Sequence, residues 1–217
     1  MGNEAVLEPP RDCNACPRLT EFRRENASAY PDWFNGAVPS FGDDQAKLLI
    51  VGLAPGLQGA NKTGRPFTGD FAGDLLYATL EKFGLSTGKY SADPEDGLRL
   101  KGAMITNAVR CVPPQNKPTT AEIKTCAPYL DTRLRTMKSL RAVICLGKIA
   151  HDSVVRSLGL PLSRAKFGHG AAHAPDGVPF KIFDSYHCSR YNTNTGRLTP
   201  EMFHHVFDAV TRHLSST

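Results

Sequence analysis

VGLAPGLQGANKTGRPFTGD, running from Val51 to Asp70, is the stretch on which the reading of this chain turns. It follows the apolar run Lys47-Leu48-Leu49-Ile50-Val51, which reads as a buried strand. It ends where an amphipathic helix is expected to begin, near Asp70. Between strand and helix lie Gly52, Gly56, Gly59, Gly64 and Gly69, with Pro55 and Pro66. A loop so rich in glycine lets a ligand approach the backbone closely, and loops at the carboxyl ends of strands are where α/β proteins build their sites.

Two phosphate-binding motifs are excluded here. A nucleotide P-loop needs glycine directly before its Lys-Thr pair, and Asn61 precedes Lys62 and Thr63. A dinucleotide fingerprint needs a different glycine spacing and a helix directly after the strand. The loop carries instead an aromatic, Phe67, and a carboxylate, Asp70, three residues apart. A ring offers a stacking face to a flat ligand, and a carboxylate orients water or faces a cation, a pairing that suits a nucleobase better than a phosphate.

Working outward, 217 residues lead us to expect one domain over 1–217. The hydrophobic share of 41% and charged share of 22% are those of an ordinary globular chain. No apolar run reaches the ~18 residues of a membrane span. The opening MGNEAVLEPPRD lacks the order of a signal peptide, and Val6 stands where a myristoylation signal wants Ser or Thr. The expected location is the cytoplasm. The net charge of +5 is compatible with a nucleic-acid partner without demonstrating one.

Six cysteines in a cytosolic chain argue against a disulfide framework. Cys13 and Cys16 form a CxxC, and Cys111 and Cys126 follow far downstream with ligand-like placement. Cys145, in AVICLG, reads as a small apolar residue on a strand.

Taken in order, residues 1 to 45 read as mostly irregular, with Pro17 opening a short helix through Arg24. Strands are expected over Ala46–Leu53, Ala103–Val109, Ala142–Leu146 and Pro179–Ser185. Helices are expected over Asp70–Phe83, from Thr119 with its capping-box Glu122, over Gly147–Leu158, and from Thr199-Pro200 onward. Ser86–Lys101, the histidine-bearing Ser163–Val178 and Tyr186–Leu198 read as surface loops, and His169 and His173 as solvent-exposed. This alternation predicts a three-layer α/β/α sandwich around a short, mainly parallel four-stranded sheet. Gly52–Asp70, Asn107 and His187–Arg197 then converge on one edge as a single cleft.

GLAPG (Gly52–Gly56), TGRPFTGD (Thr63–Asp70), TNAVRC (Thr106–Cys111) and YHCSRYNTNTGRLT (Tyr186–Thr199) together resemble the uracil-DNA glycosylase superfamily, most closely its family 5, the type b enzymes of prokaryotes. The resemblance spans nearly the whole chain. It implies a structural [4Fe–4S] cluster on Cys13, Cys16, Cys111 and Cys126, borne partly by an amino-terminal ligand arm. Four thiolates also suit zinc, the alternative that sequence leaves open.

The implied activity is monofunctional hydrolysis of the N-glycosidic bond of uracil in DNA, as the first step of base excision repair. The resemblance assigns Asp70 to the attacking water and the sugar cation, and His187 to the departing base oxygen. Phe67 stacks on the flipped base, Asn107 reads its edge, and Leu53 and Ala54 line the pocket through their backbone. Ser189, Arg190, Tyr191 and Asn192 enter the DNA, with Tyr191 or Arg190 as wedge. Gly56 replaces the tyrosine that excludes thymine in the uracil-specific enzymes, which implies a wider range of deaminated bases such as hypoxanthine or xanthine. The expected partner is DNA carrying such bases, bound by a monomer without a membrane.

One departure is plain: the usual His-Pro-Ser is His187-Cys188-Ser189 here. The thiol is not read as a nucleophile, because adjacent residues on an extended segment face opposite sides. Lys62 is the only motif lysine that could form a Schiff base. The competing readings are a non-catalytic DNA-recognition module of the same fold and a glycosylase with a shifted base preference.

Overall fold

The computed structural model describes residues 8–216. The first seven residues, on which much of the no-leader expectation rests, lie outside the described residues. Three buried five-residue runs set the architecture: β2 (Leu48–Gly52), β5 (Ala103–Asn107) and β6 (Ala142–Leu146) are buried at every position and mainly apolar. Strands covered on both faces read as such continuous runs. With β8 (Lys181–Ser185) they form a parallel sheet in the order β5-β2-β6-β8. Two-residue antiparallel strands extend its edges, β1 (Phe41–Gly42) beside β5 and β7 (Ala172–His173) beside β8. The expected four-stranded parallel sheet is therefore the centre of a six-stranded one.

The pleat sorts the strand residues between two layers of helix. Leu48, Ile50, Ile105, Ile144 and Phe183 face α3 (Phe71–Lys82) and α7 (Pro200–Ser215). Leu49, Val51, Met104, Val143, Cys145 and Ile182 face α4 (Thr120–Thr136) and α5 (Lys148–Ser157). The layers are the three-layer sandwich that the sequence predicts. No helix among the described residues is long and apolar enough to cross a membrane.

Local chemistry sets the helix starts. Thr119 and Glu122 make the full capping box of α4, and Thr199 caps α7. Glu122 also takes a bidentate pair from Arg18 at 2.7 and 2.8 Å, which ties α4 to α1 (Pro17–Ala29). The α1 helix runs a turn beyond the expected Arg24, and Asn26 stabilises it by donating to the Phe22 carbonyl.

Three segments read as loops contain more structure. Ser86–Lys101 holds a small hairpin, β3 (Ser86–Thr87) with β4 (Arg99–Leu100). Asp96 in that hairpin clamps Arg65 at 2.8 Å through both oxygens, and the guanidinium lies against the rings of Phe41, Tyr77 and Tyr90. The glycine loop itself holds one helical turn, α2 (Ala60–Thr63), and α6 (Arg190–Asn194) interrupts the last loop. His169 and His173 are not free solvent groups: His169 Nδ1 accepts from the Tyr186 amide and His173 Nε2 lies 3.0 Å from the buried Asp184. Their burial comes from β8, which is remote in sequence.

The segment after α1 is pinned onto α2, since the Phe34 and Asn35 amides donate to the Lys62 and Asn61 carbonyls. There Tyr30 stacks on Trp33 with centroids 4.0 Å apart, and Lys62 lies 5.9 Å from the Trp33 ring.

The first turn of α3 presses against the glycine loop at one point. A Cβ on Gly73 would come within 1.9 Å of the Phe67 carbonyl oxygen. Gly73→Ala should therefore displace Phe67 and destabilise the fold by about 1–3 kcal/mol, the range for overpacked interiors. Urea unfolding read by far-UV circular dichroism checks this, and an unchanged midpoint would contradict the packing.

Candidate active site and cysteine centre

The parallel register puts Gly52 beside Asn107 at the carboxyl ends of β2 and β5. Here the glycine serves a close approach. Its Cβ would fall 2.3 Å from Asn107 Oδ1 and 2.7 Å from the Phe67 ring, so only glycine lets both side chains turn over the strand end. Phe67 is held at φ 54°, in the left-handed region, and its ring lies 5.7 Å from that of His187 at an interplanar angle of 26°. The Asn107 Oδ1 is buried and has no protein donor, an acceptor that a ligand can satisfy.

Asp70 caps α3 by accepting from the Gly73 amide at 3.1 Å. Capping and chemistry are compatible, because the second oxygen faces Gly56 and Gly59. A Cβ on either would approach Asp70 Oδ2 to 2.8 or 2.4 Å. Burial raises the Asp70 carboxyl above its ordinary range, its helix-start amides oppose this, and Asp74 one turn along adds to the rise. Burial alone moves His187 the other way, down to about 4, so its imidazole is neutral at physiological pH. Cys188 points away into the core and its thiol donates to the Ala72 carbonyl at 3.4 Å, as the opposite-sides argument requires.

These groups line one cavity of about 720 Å³. Of the residues singled out in the sequence, Leu53, Ala54, Phe67, Asp70, Asn107, His187, Ser189 and Arg190 all reach it. Tyr191 and Asn192 do not. Tyr191 stands on α6 with 71% of its surface exposed, and Asn192 Nδ2 donates to the His187 carbonyl at 2.8 Å. Ser189 caps α6, and Arg190 lies over the Phe71 ring at 5.4 Å. Lys62 is exposed and no lysine lines the cavity. Sequence reasoning missed Gln58, Asp74, Ala92 and Asn116 on the wall. The one available signal was Asn116, an asparagine in a proline loop, which adopts φ 56°.

The four expected ligand cysteines also converge. Cys13, Cys16, Cys111 and Cys126 share a small pocket with Leu19, Val109, Arg110 and Tyr129. None of the six cysteines is in a disulfide. Burial pushes the Cys111 thiol up to about 12 and Cys126 to about 11, and neighbouring thiols add to it. Such thiols become thiolates when a metal takes the proton's place.

The surroundings fit an anionic metal–thiolate group. Arg110 is 1% exposed, and its Nε and Nη2 have no acceptor in the protein, nor has Nε of buried Arg23. The Arg110 amide donates to Cys126 Sγ at 3.4 Å. Ala54 packs against this centre while also lining the cavity, so the two sites share a wall.

Comparisons with known proteins identify the family. The family model of the uracil DNA glycosylase superfamily matches residues 39–211. A type-5 uracil-DNA glycosylase of Thermus thermophilus is 44% identical over 208 residues, covering 94% of each chain. From Pyrobaculum aerophilum, a type-5 uracil-DNA glycosylase is 40% identical over 88% of this chain and 84% of its own, whereas a type-4 uracil-DNA glycosylase is 32% identical over 73% and 67%. These matches place the chain in the uracil-DNA glycosylase superfamily, to which it belongs.

Proposed function

We propose that this chain is a monofunctional DNA glycosylase that releases uracil from DNA by hydrolysis and so opens base excision repair. One observation carries the reading: a buried carboxylate and a neutral imidazole face the same cavity as a stacking ring and an amide with an orphaned acceptor. A base must leave the duplex to enter such a pocket. Phe67 then stacks on its face, and Asn107 pairs with its edge, since an amide both donates and accepts.

As the glycosidic bond lengthens, electrons move to the base and the sugar becomes oxocarbenium-like. His187, neutral, donates an N–H to the base oxygen where charge collects, the kind of aimed donor that counts most in a dry site. Asp70, ionised, faces the sugar cation and takes a proton from the attacking water. The absence of lysine from the cavity wall supports simple hydrolysis over a Schiff-base lyase. Tyr191, exposed beside the cavity on α6, is the better placed wedge, with Ser189, Arg190 and Asn192 behind it.

A wider base range follows from the small residue at Gly56, in the wall of a cavity whose volume of about 720 Å³ is that of an ordinary ligand cleft. Hypoxanthine and xanthine are then further substrates. One domain over residues 1–217, acting as a monomer, carries every group this scheme needs. The six unpaired thiols suit a reducing cytoplasm.

Cys13, Cys16, Cys111 and Cys126 would hold a [4Fe–4S] cluster, whose contribution is to brace the fold. Among the described residues, the trio of ligand atoms close enough for a single ion lies elsewhere, on Cys145, His151 and Asp184. A lone zinc would draw its sulfurs to roughly 3.8 Å from one another, given Zn–S bonds of about 2.3 Å. The four thiols are not among the ligand atoms that lie within 4.8 Å of one another, which favours the larger cluster.

Oligonucleotide cleavage after alkali tests the activity. Strand cuts are expected at uracil and hypoxanthine; cuts at neither, with DNA binding retained, would favour the recognition-module reading, and cuts at uracil alone would reject the wide pocket. Replacing His187 by Ala should slow uracil release about 10²–10³-fold.

Asp70→Asn should abolish release and yet raise the melting temperature at pH 7. A carboxyl whose folded pKa is raised favours folding below its unfolded value and loses that contribution as pH climbs through the folded value, so the charged form burdens the fold at neutral pH. The wild-type rate should rise with pH through a midpoint above that of an ordinary aspartate. A normal acid limb, or full activity in Asp70→Asn, would remove Asp70 from the scheme. Cys111→Ser should lose iron and visible absorbance and melt at lower temperature; retained iron would reject the ligand set.

A further inference from the structure

Outside the cavity, the sheet buries a second group of titratable side chains that the scheme above leaves unused. Asp184 on β8 is completely buried, and so is His151 on α5. The His151 Nδ1 lies 2.7 Å from Asp184 Oδ1 and its Nε2 lies 2.8 Å from the Ala165 carbonyl oxygen. A carbonyl only accepts, so Nε2 carries a proton. The other Asp184 oxygen takes the Gly168 amide at 3.3 Å and His173 Nε2 at 3.0 Å. With two donors on that oxygen, Oδ1 is left to accept from the ring, and Nδ1 of His151 then carries a proton as well.

We propose that His151 is an imidazolium at neutral pH, and that with Asp184 it acts as a pair of positioning residues for His187. The pair straps the segment 165–173 across the end of β8. Gly168 is tied to the carboxylate, the Gly170 amide donates to the Asp184 carbonyl, and the Asp184 amide donates to Ala171. The strap then delivers His169, whose Nδ1 accepts from the Tyr186 amide at 3.1 Å and whose ring stacks on Tyr186 at 4.9 Å. Arg197 covers the Tyr186 ring at 4.6 Å. Tyr186 is the residue before His187, so the strap fixes the backbone from which the imidazole reaches the base.

The strap is sensitive to pH. The groups facing His151 are Asp184 from β8, His173 from β7, Cys145 from β6 and Asp152 on its own helix, where Lys148 pairs with it at 2.6 Å. Burial disfavours the charged ring, but Asp184 and the Ala165 carbonyl outweigh it and raise its pKa. The stabilisation is therefore complete below the unfolded value and is lost as pH rises through the folded one.

The inference rests on the glycosylase reading only for its kinetic arm. Nitrogen-15 NMR of histidine-labelled protein, with His151→Gln for assignment, should show both ring nitrogens of His151 protonated at pH 7. Asp184→Asn should slow single-turnover uracil release about 10–100-fold, the scale of a small misplacement, with duplex affinity unchanged. The alkaline limb of the wild-type rate, set by His151 losing its proton, should vanish in that variant.

A neutral His151 ring at pH 7, or wild-type kinetics and pH profile in Asp184→Asn, would overturn the proposal. So would a zinc ion retained on Cys145, His151 and Asp184 after the four cluster cysteines are replaced. If Asp184→Asn does not fold, the wild-type ring resonances decide. A wild-type protein inactive on uracil would sink the glycosylase reading and leave the NMR test standing.

Discussion

The missing side chain at Gly52 is the constraint on which the site depends. A β-carbon there would occupy the space now taken by the Asn107 amide and the Phe67 ring. Gly73 removes a second obstacle behind Phe67, and Gly56 and Gly59 remove two more in front of Asp70. The cavity is thus assembled by what four positions lack. Rigid neighbours make this useful: parallel strands fix Gly52 beside Asn107, and the buried Arg65–Asp96 pair fixes the turn just before Phe67. A ring held in the left-handed region needs such surroundings to over-determine it.

The same burial that shapes the cavity divides its acid–base groups. Desolvation disfavours charge on both Asp70 and His187, which raises one and lowers the other. In the proposed scheme this is an advantage for the histidine, because a neutral donor leaves no cation to repel a developing sugar charge. For the aspartate it is a cost, since the ionised form must persist in a poorly solvated place. Two helix-start amides keep that cost tolerable. In the proposed scheme the cap and the base are one residue, because the helix start is the nearest source of such amides.

Much of this was legible in the residues. The central strands β2 and β6 are continuous apolar runs, Thr119 and Thr199 are ordinary caps, and the loaded loops fall on one sheet edge as right-handed crossovers require. What was not legible is pairing between partners distant in sequence. His173 reads as a loop residue until Asp184 is seen beside it, and Phe41-Gly42 has no strand pattern until β5 supplies the ladder. Arg190–Asn194 forms a turn of helix against propensity because Ser189 caps it and Asn192 holds the His187 carbonyl. Local propensity gives way to packing and hydrogen bonds at such places.

Trp33 is the sole tryptophan of the chain, and it stacks on Tyr30 beside Lys62. Its emission therefore reports on one corner, the junction of the amino-terminal segment with the glycine loop. An optical unfolding curve followed at that wavelength would trace the opening of this corner, and would coincide with loss of helix signal only if the two regions part together. The protein thus carries a built-in local gauge of whether the segment that brings Cys13 and Cys16 lets go before the sheet does.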